Sequence, residues 1–537
     1  MYVESQFLMV SHRFRWVFCQ LETLRHCLPP SVRRILAELP ETLDATYERI
    51  LQEIPKSNQV HAHRLLQCLT VAVRPLLVRE LAEILAIDFG TLEGIPKLDE
   101  AMRWEDQEQA VLSACSSLIA VIEVEDQDSR VVQFSHFSVR EFLTSDRLAM
   151  SKMDASRYHH IPLEPAHTIM AQACLSVLLL LRFDSHIDEA SINNFPLAKY
   201  AAENFGDHAE FEGVLLHIRD GVDPLLDADK SHFAAWIQMG PAPGHYLEGA
   251  QWLDISPSPL YYVAARGYRG LVDYLISKRP DDVDVRGDYG TPLHAALGGV
   301  HADVAQLLLG YCVGVDVRGD LDQTPLHMAA YYGFLGVTRT LVERSADINA
   351  LDSSGNTPLH QVMQDWYLKP ESTQDGRIDV AKYLLEHGAD LDARNEDDFT
   401  PLGLASFCGS VKGIMIQLML EHGANIHARN DRGQTLLHRL VDCLDKTSDT
   451  LGMFLDTMQC LLAHGVDVDA LDDDHASPLH VTSYWGCVEG ARILLEHGAN
   501  VHLEDKEGRT PLQVASERGK TEITQLLSKH LQSQQMM

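Results

Sequence analysis

Histidine is the residue whose type and spacing in this 537-residue chain most directly suggest chemistry. Imidazole nitrogens bind zinc and other transition metals, so a recurring set of histidines could form a metal site. Five of them occupy equivalent places in a recurring segment: His294, His327, His360, His438 and His480. Metal ligands must converge on one point, however, whereas one histidine per recurring segment spreads the set along the chain. We therefore predict that each ring hydrogen-bonds backbone in the adjacent turn and that no metal is bound.

A second candidate is the triplet Gly519–Thr521, which reads G-K-T. A phosphate-binding loop needs G-x-x-x-x-G-K-[ST], because backbone amides and a lysine must surround the phosphates. Val514 stands where this motif requires glycine, and no strand leads into the triplet. We interpret it as part of an inter-helix turn. The chain also lacks G-x-S-x-G and H-E-x-x-H, so we predict no catalytic residue, no cofactor and no enzyme activity.

The segment that carries the histidines begins with Thr or Ser, followed by Pro and Leu in most copies. It starts at eight positions: Ser258, Thr291, Thr324, Thr357, Thr400, Thr435, Ser477 and Thr510. The hydroxyl caps a helix, and Pro suits the first helical position, where no amide hydrogen is needed. Glycines then turn the chain into a second helix and end it. Each segment is predicted to be a helix pair, with insertions at residues 365–377 and 444–452 where the two helices join.

These segments resemble the ankyrin repeat, whose consensus is close to D-x-x-G-x-T-P-L-H-x-A-A-x-x-G…L-L-x-x-G-A. "TPLHMAAYYG" at Thr324 and "SPLHVTSYWG" at Ser477 carry the likeness, which extends over about residues 257–532. The resemblance implies a solenoid without an active site. Each unit contacts its neighbours, and the stack presents a concave surface to a protein partner.

The ankyrin resemblance places the two residues before the mid-repeat glycine at the end of the inner helix, facing the groove. Aromatic residues there are Tyr331, Tyr332, Phe407, Tyr484 and Trp485. Half-exposed aromatic residues are typical anchors of protein interfaces, so we predict that these contact a partner. The alternative is that one aromatic of each pair packs beneath the next hairpin. Acidic hairpin tips that include Asp397, Asp398 and Asp472 would form a negative rim, which favours a partner with basic or mixed charge.

The first half has the order of a winged helix, which is helices followed by a β-hairpin. "LPETLDATYERILQEIP" begins a helix that Thr42 or Asp44 can cap, and two apolar strands flank a polar turn at Glu125–Arg130. The candidate DNA-recognition helix, "VRELAEILAID", is acidic and apolar. We therefore do not expect DNA binding.

This half resembles the winged-helix segment that follows the NACHT nucleotide-binding domain in fungal NLR-like (STAND) proteins. "FRWVFCQLETLRHC" and "FSHFSVREFL" carry the likeness. The resemblance implies a helical remnant of a NACHT-type module at residues 1–39, a winged helix at 40–150 and a helical bridge at 151–256. It also implies a nucleotide-driven motor, whose motifs we do not find. His136 loosely matches the histidine that this family offers to a bound diphosphate, and we expect it to be structural here.

Composition limits the class of partner. The chain has 44 basic and 77 acidic residues and a net charge of −33, which repels nucleic acid and anionic lipid. Its ten cysteines form no C-x-x-C pair, which indicates a reducing, cytoplasmic location.

We predict a mainly α fold, an ankyrin-repeat solenoid preceded by a winged helix and a helical bridge. Its predicted function is non-enzymatic scaffolding or sensing through a protein partner, or alternatively the sensor end of a NACHT-type signalling switch of the innate-immunity or heterokaryon-incompatibility kind. The residues leave the oligomeric state open.

Overall fold

The computed structural model describes most of the chain from Thr42 onward. The described residues are 42–90, 95–115, 118–124, 129–181, 194–240, 258–287, 289–311, 314–364, 371–406, 412–442 and 451–535. They form two compact units. The first contains the described residues up to Val263 together with Tyr268–Arg279, and the second contains Ala264–Gly267 and the described residues from Pro280 onward. The predicted helical remnant at residues 1–39 and the candidate Phe407 lie outside the described residues.

The first unit begins with helices and a small sheet in the winged-helix order. Its elements are α1 Leu43–Glu53, α2 Gln59–Val71, β1 Leu76–Leu77, α3 Val78–Leu85, β2 Ile87–Asp88, β3 Lys97–Leu98, α4 Gln107–Cys115, β4 Ile119–Val124 and β5 Ser129–Phe134. The sheet has the order β1-β5-β4 with antiparallel pairing, and β2 pairs with β3. Of the two possible caps for α1, the structure uses Thr42, whose hydroxyl accepts from the amide of Ala45 at 3.2 Å.

The β-hairpin differs from the predicted one in the length of its turn. We predicted a turn that reaches Arg130, but Arg130 pairs with Glu123 and Ser129 pairs with Val124 in the ladder between β4 and β5. These two residues belong to the strand because each has a partner directly opposite on the neighbouring strand. The polarity of the residues alone therefore predicted a turn that is too long.

A bundle of helices follows the hairpin and forms the core of the first unit. The helices are α5 Phe137–Leu143, α6 Asp146–Ala149, α7 Asp154–Tyr158, α8 Leu163–Leu178, α9 Ala198–Ala209, α10 Val214–Leu225 and α11 Ser231–Met239. Helix α8 contacts α2, α9 and α10, and most of its residues are buried. The apolar residues of its C-terminal half pack against these three helices, which gives the helix its central position. No helix among the described residues is both long enough and apolar enough to span a lipid bilayer.

Eight helix pairs make up the rest of the described residues. They are α12 Pro259–Ala265 with α13 Arg269–Lys278, α14 Pro292–Gly298 with α15 Ala302–Leu309, α16 Pro325–Tyr332 with α17 Leu335–Glu343, α18 Pro358–Met363 with α19 Glu371–Glu386, α20 Pro401–Ala405 with α21 Lys412–Glu421, α22 Leu436–Asp442 with α23 Leu451–Ala463, α24 Pro478–Trp485 with α25 Val488–Glu496, and α26 Pro511–Glu517 with α27 Thr521–Gln535. Within the second unit, first helices pack on first helices and second helices on second helices. Two parallel rows result, as the predicted repeats require.

The first helix pair belongs mostly to the first unit. The carboxylate of Glu210 accepts hydrogen bonds from the amides of Gly270 and Leu271, at 2.7 and 3.0 Å, at the start of α13. An acidic group at a helix N-terminus satisfies free amides and complements the helix dipole. The bridge and the first pair are therefore joined by a specific contact as well as by apolar packing.

The insertion predicted at residues 365–377 is partly helical. Helix α19 begins at Glu371, inside the predicted insertion, and runs for 16 residues. The inserted residues therefore lengthen the second helix and do not form a loop throughout. Arg377, near the end of the insertion, is fully buried and anchors this helix.

Candidate protein-binding surface

The recurring histidines join consecutive repeats through hydrogen bonds, as predicted. In His327, Nδ1 accepts from the amide of Thr324 at 3.2 Å, while Nε2 donates to the carbonyl of Asn356 at 2.9 Å. His294, His360, His438 and His480 make the same pair of bonds, to the amide of their own Thr or Ser and to the carbonyl just before the next repeat. Both nitrogens of each ring are thus occupied by backbone, which leaves none for a metal ion.

The aromatic pair Tyr331 and Tyr332 is less accessible than predicted. The two side chains are 8% and 5% exposed, so the expected half-exposure is wrong for this pair. The guanidinium of Arg377 lies 4.9 Å from the ring centroid of Tyr331, and the ring of Tyr332 stacks on Phe334. The insertion supplies Arg377, and the ordinary repeat pattern does not include it. Sequence spacing alone therefore could not show that this pair is covered.

The second aromatic pair is accessible. Tyr484 is 38% exposed and Trp485 is half-buried, and their rings meet edge to face with centroids 5.1 Å apart. Both residues lie in the last turn of α24, as predicted. The guanidinium of Arg518, from the next repeat, lies 3.9 Å from the ring centroid of Tyr484. An exposed aromatic pair beside a cation forms a surface suited to contact another protein.

The acidic hairpin tips divide into structural and accessible carboxylates. Asp472 accepts from the amides of Asp474 and Ala476, at 3.0 and 2.8 Å, and so holds its own turn. Asp398 pairs with Arg394 at 2.5 Å and accepts from the amide of Asp431 at 2.6 Å. Asp397 is exposed. Of the three predicted rim residues, Asp397 is therefore the one whose charge is most available to a partner.

A row of hairpin arginines, which we did not predict, also joins the repeats. Each guanidinium donates to the carbonyl of the corresponding residue in the next repeat: Arg286 to Arg318 at 2.5 Å, Arg318 to Leu351, Arg394 to Arg429 at 2.6 Å, and Arg429 to Leu471 at 2.5 Å. The sequence signal for this row was the recurrence of V-D-V-R-G-D and of A-R-N a few residues before the Thr that begins the next repeat. These arginines fix the hairpins from which a partner surface would be built.

Helix α3, which we predicted as the candidate DNA-recognition helix, is buried. All residues of α3 except Arg79 are buried, including Glu80 and Glu83. Glu80 accepts two hydrogen bonds from Arg74, at 2.7 and 2.9 Å, and Glu83 accepts from Arg103 and from the amide of Leu197, each at 2.6 Å. A recognition helix must present several side chains to base edges, and α3 presents one.

His136 and the G-K-T triplet have structural positions, as predicted. His136 caps α5, because its Nδ1 accepts from the amide of Ser138 at 3.2 Å. Ser138 in turn bonds Tyr47 at 2.8 Å, which ties the segment after the hairpin to α1. Gly519, with φ +68°, and Lys520 lie between α26 and α27, and Thr521 begins α27, so the triplet spans the turn into the second helix. A phosphate-binding loop would instead follow a strand.

Family comparisons agree with this architecture. Residues 301–369 and 446–536 match the family described as ankyrin repeats (3 copies), and residues 368–414 match ankyrin repeats (many copies). Residues 47–153 match the winged helix domain of GPI inositol-deacylase. The chain thus carries ankyrin repeats and a winged helix domain. Ankyrin repeats form a non-catalytic fold that binds other proteins, so this chain contains a protein-interaction module.

Several curated proteins are similar to parts of the chain. Azaphilone pigments biosynthesis cluster protein L from Monascus ruber is 31% identical over 298 residues, which cover 52% of this chain and 61% of the relative. Alpha-latrocrustotoxin-Lt1a from Latrodectus tredecimguttatus is 31% identical over 139 residues, 25% of this chain and 9% of the toxin. Human neurogenic locus notch homolog protein 1 is 32% identical over 146 residues, 27% of this chain and 5% of the relative. The chain therefore spans less than two thirds of the length of each of these relatives.

Proposed function

We propose that this chain is a non-enzymatic scaffold or sensor that binds a protein partner through the concave face of its ankyrin repeats. The observation that carries this proposal is the accessible pair Tyr484 and Trp485 at the end of α24, beside Arg518. Aromatic residues and arginine supply most of the binding energy at protein interfaces. The buried pair Tyr331 and Tyr332 would support the surface from below, and Asp397 would add negative charge at its rim.

The test compares proteins captured by the full chain and by a double variant, Tyr484→Ala/Trp485→Ala. We expect the double variant to capture at least about tenfold less of each partner protein. Removal of an interface anchor costs more than about 1.4 kcal/mol of binding free energy. Tyr311→Ala is the matched control, since Tyr311 is 51% exposed and lies just after α15, a second helix. Quantitative mass spectrometry measures the captured proteins, and circular dichroism verifies folding. Capture that is equal for the wild type and the double variant would refute binding at this surface.

A second candidate function is the sensor end of a NACHT-type nucleotide-dependent switch. The support is the order of the parts, in which a winged helix and a helical bridge precede the repeats. Under this proposal a nucleotide-binding module would act on the winged helix, and the repeats would read the signal. Calorimetric titration of the full chain with ADP and with ATP tests the scaffold, because binding of nucleotide by this chain itself would count against it. The scaffold predicts no binding heat, and micromolar nucleotide binding would favour the switch.

The same proposal includes a cytoplasmic location and no binding of nucleic acid or membrane. Cys68 and Cys174 are fully buried free thiols, and burial raises the pKa of Cys68 to about 12. Such thiols behave as small apolar side chains in a reducing compartment. The buried helix α3 and the net charge of −33 both disfavour a nucleic-acid partner.

A further inference from the structure

The stacked pair of Arg518 and Tyr484 holds a cation at a defined place on the surface. Arg518 ends the first helix of the last repeat, and its guanidinium lies 3.9 Å from the centroid of the Tyr484 ring. Tyr484 is itself held in α24 against Trp485. A guanidinium that stacks on an aromatic face keeps its N–H groups directed outward in its own plane. The contact with Tyr484 therefore restrains the guanidinium, and Arg518 is exposed, so its donors can reach another molecule.

A second cation lies beside this stack. The side chain of Lys520 passes close to Gly486, where an added Cβ would lie only 2.8 Å from Cδ of Lys520. Gly486 has φ +89° and ends α24 directly after Trp485. The absence of a side chain at this glycine thus allows the lysine to approach the end of the helix that carries the aromatic pair.

Neither cation is neutralised within the part of the chain that the structure describes. Arg518 and Lys520 have no carboxylate within 4 Å there, whereas neighbouring basic residues do: Arg509 pairs with Asp505 and Glu507, Lys506 with Asp474, and Arg492 with Glu489. The acidic residue next to Arg518, Glu517, pairs with Arg509 at 3.6 Å and not with Arg518, in a chain that has 33 more acidic than basic residues. Charge complementarity then favours an anion supplied by another molecule.

We propose that Tyr484, Trp485, Arg518 and Lys520 form an anchor for an acidic segment of the partner protein. An Asp or Glu carboxylate of that segment accepts bidentate hydrogen bonds from Arg518, with Lys520 adding a second positive charge. A neighbouring apolar side chain of the segment covers the exposed faces of Tyr484 and Trp485. This inference rests on the proposed protein-binding function and defines the partner's chemistry at the last two repeats. It differs from the basic partner expected from the hairpin tips.

The experiment selects peptides without assuming a partner. A phage-displayed library of random 12-residue peptides is panned on the full-length wild type and on Arg518→Gln. Peptides selected on the wild type should contain Asp and Glu at about twice their frequency in the starting library. A synthetic peptide from that selection should bind about tenfold more weakly to Arg518→Gln, the size of effect that a hydrogen bond to a charged group produces. Fluorescence anisotropy measures the affinities.

Arg492→Gln is the matched control, because it removes the same charge from α25, where Arg492 is exposed and paired with Glu489 at 3.2 Å. It should change the affinity less than twofold. Selected peptides without acidic enrichment, or rich in Lys and Arg, overturn the proposal, and so does equal weakening by Arg518→Gln and Arg492→Gln. If Tyr484→Ala/Trp485→Ala abolishes binding while Arg518→Gln does not, the protein-binding function holds and the acidic anchor alone fails.

Discussion

At the scale of single residues, the histidines show how a residue type suited to chemistry can be used for structure. Each ring accepts from the amide at the start of its own helix and donates to the carbonyl before the next repeat, so it must be neutral. Burial lowers the pKa of His294 to about 4 and also lowers the pKa of His327, His360 and His480. Protonation would place a hydrogen on the accepting nitrogen and break the cap.

The lowered pKa of His294 predicts how stability changes with pH. The unfolded chain binds a proton at the ordinary histidine pKa of about 6.5, whereas the folded chain binds one near 4, so the unfolded state holds more protons between these values. The free energy of unfolding should therefore decrease as the pH falls from about 6.5 to 4. Between pH 7 and pH 5 this residue should account for about 2 kcal/mol.

The variant His294→Gln tests that assignment. The last repeat has glutamine at this position, and the amide of Thr510 donates to Oε1 of Gln513 at 2.8 Å, so glutamine can form the cap without titrating. Urea unfolding should show that the free energy of unfolding decreases less between pH 7 and pH 5 in His294→Gln than in the wild type. An identical decrease in the free energy of unfolding in the two proteins would show that His294 does not cause this pH dependence.

At the scale of elements, the insertion in the fourth helix pair is held by one buried arginine. Nε of Arg377 donates to the carbonyl of Tyr331 at 2.5 Å, and Nη1 donates to the carbonyl of Gln364 at 2.7 Å. Gly376 lies against the backbone of Gly333, where an added Cβ would be 2.6 Å from the carbonyl oxygen. These contacts attach the start of α19 to the ends of α16 and α18 and cover Tyr331.

We expect Arg377→Ala to reduce the free energy of unfolding by about 2–4 kcal/mol, because it removes both hydrogen bonds and leaves buried carbonyls without these donors. Lys382→Ala is the control, since Lys382 is an exposed basic residue on the same helix, and its effect should stay within about 0.5 kcal/mol. Urea denaturation monitored by circular dichroism measures both variants. Equal small effects would show that Arg377 does not anchor the insertion.

At the scale of the whole molecule, the second unit is a chain of contacts between neighbouring repeats. First helices pack on first helices, five histidines connect their repeats to the following turn, and arginines connect successive hairpins. In such a stack, a local defect weakens its neighbours most and distant repeats least. The winged helix and bridge form a separate compact unit with their own core.

Hydrogen exchange of Arg377→Ala should show this distance dependence. Protection should fall most in α16–α19 and less in α24–α27, because stability is transmitted through nearest-neighbour contacts. Peptides from α1 and α2, which belong to the first unit, serve as the internal reference and should be unchanged. Mass spectrometry of exchanged peptides measures the pattern, and a uniform loss across both units would contradict it.

The sequence by itself determined the class of fold and the place of each repeat, because capping residues, helix-ending glycines and bridging histidines act through local spacing. It also indicated the winged helix, because helices are followed by two apolar segments about a polar turn. Only the tertiary structure decided which candidate residues are accessible. Tyr331 and Tyr484 occupy the same position in their repeats and each contacts an arginine, yet Tyr331 is 8% exposed and Tyr484 is 38% exposed. The exposure of a side chain depends on residues that other helices bring against it. A local sequence pattern does not predict such contacts.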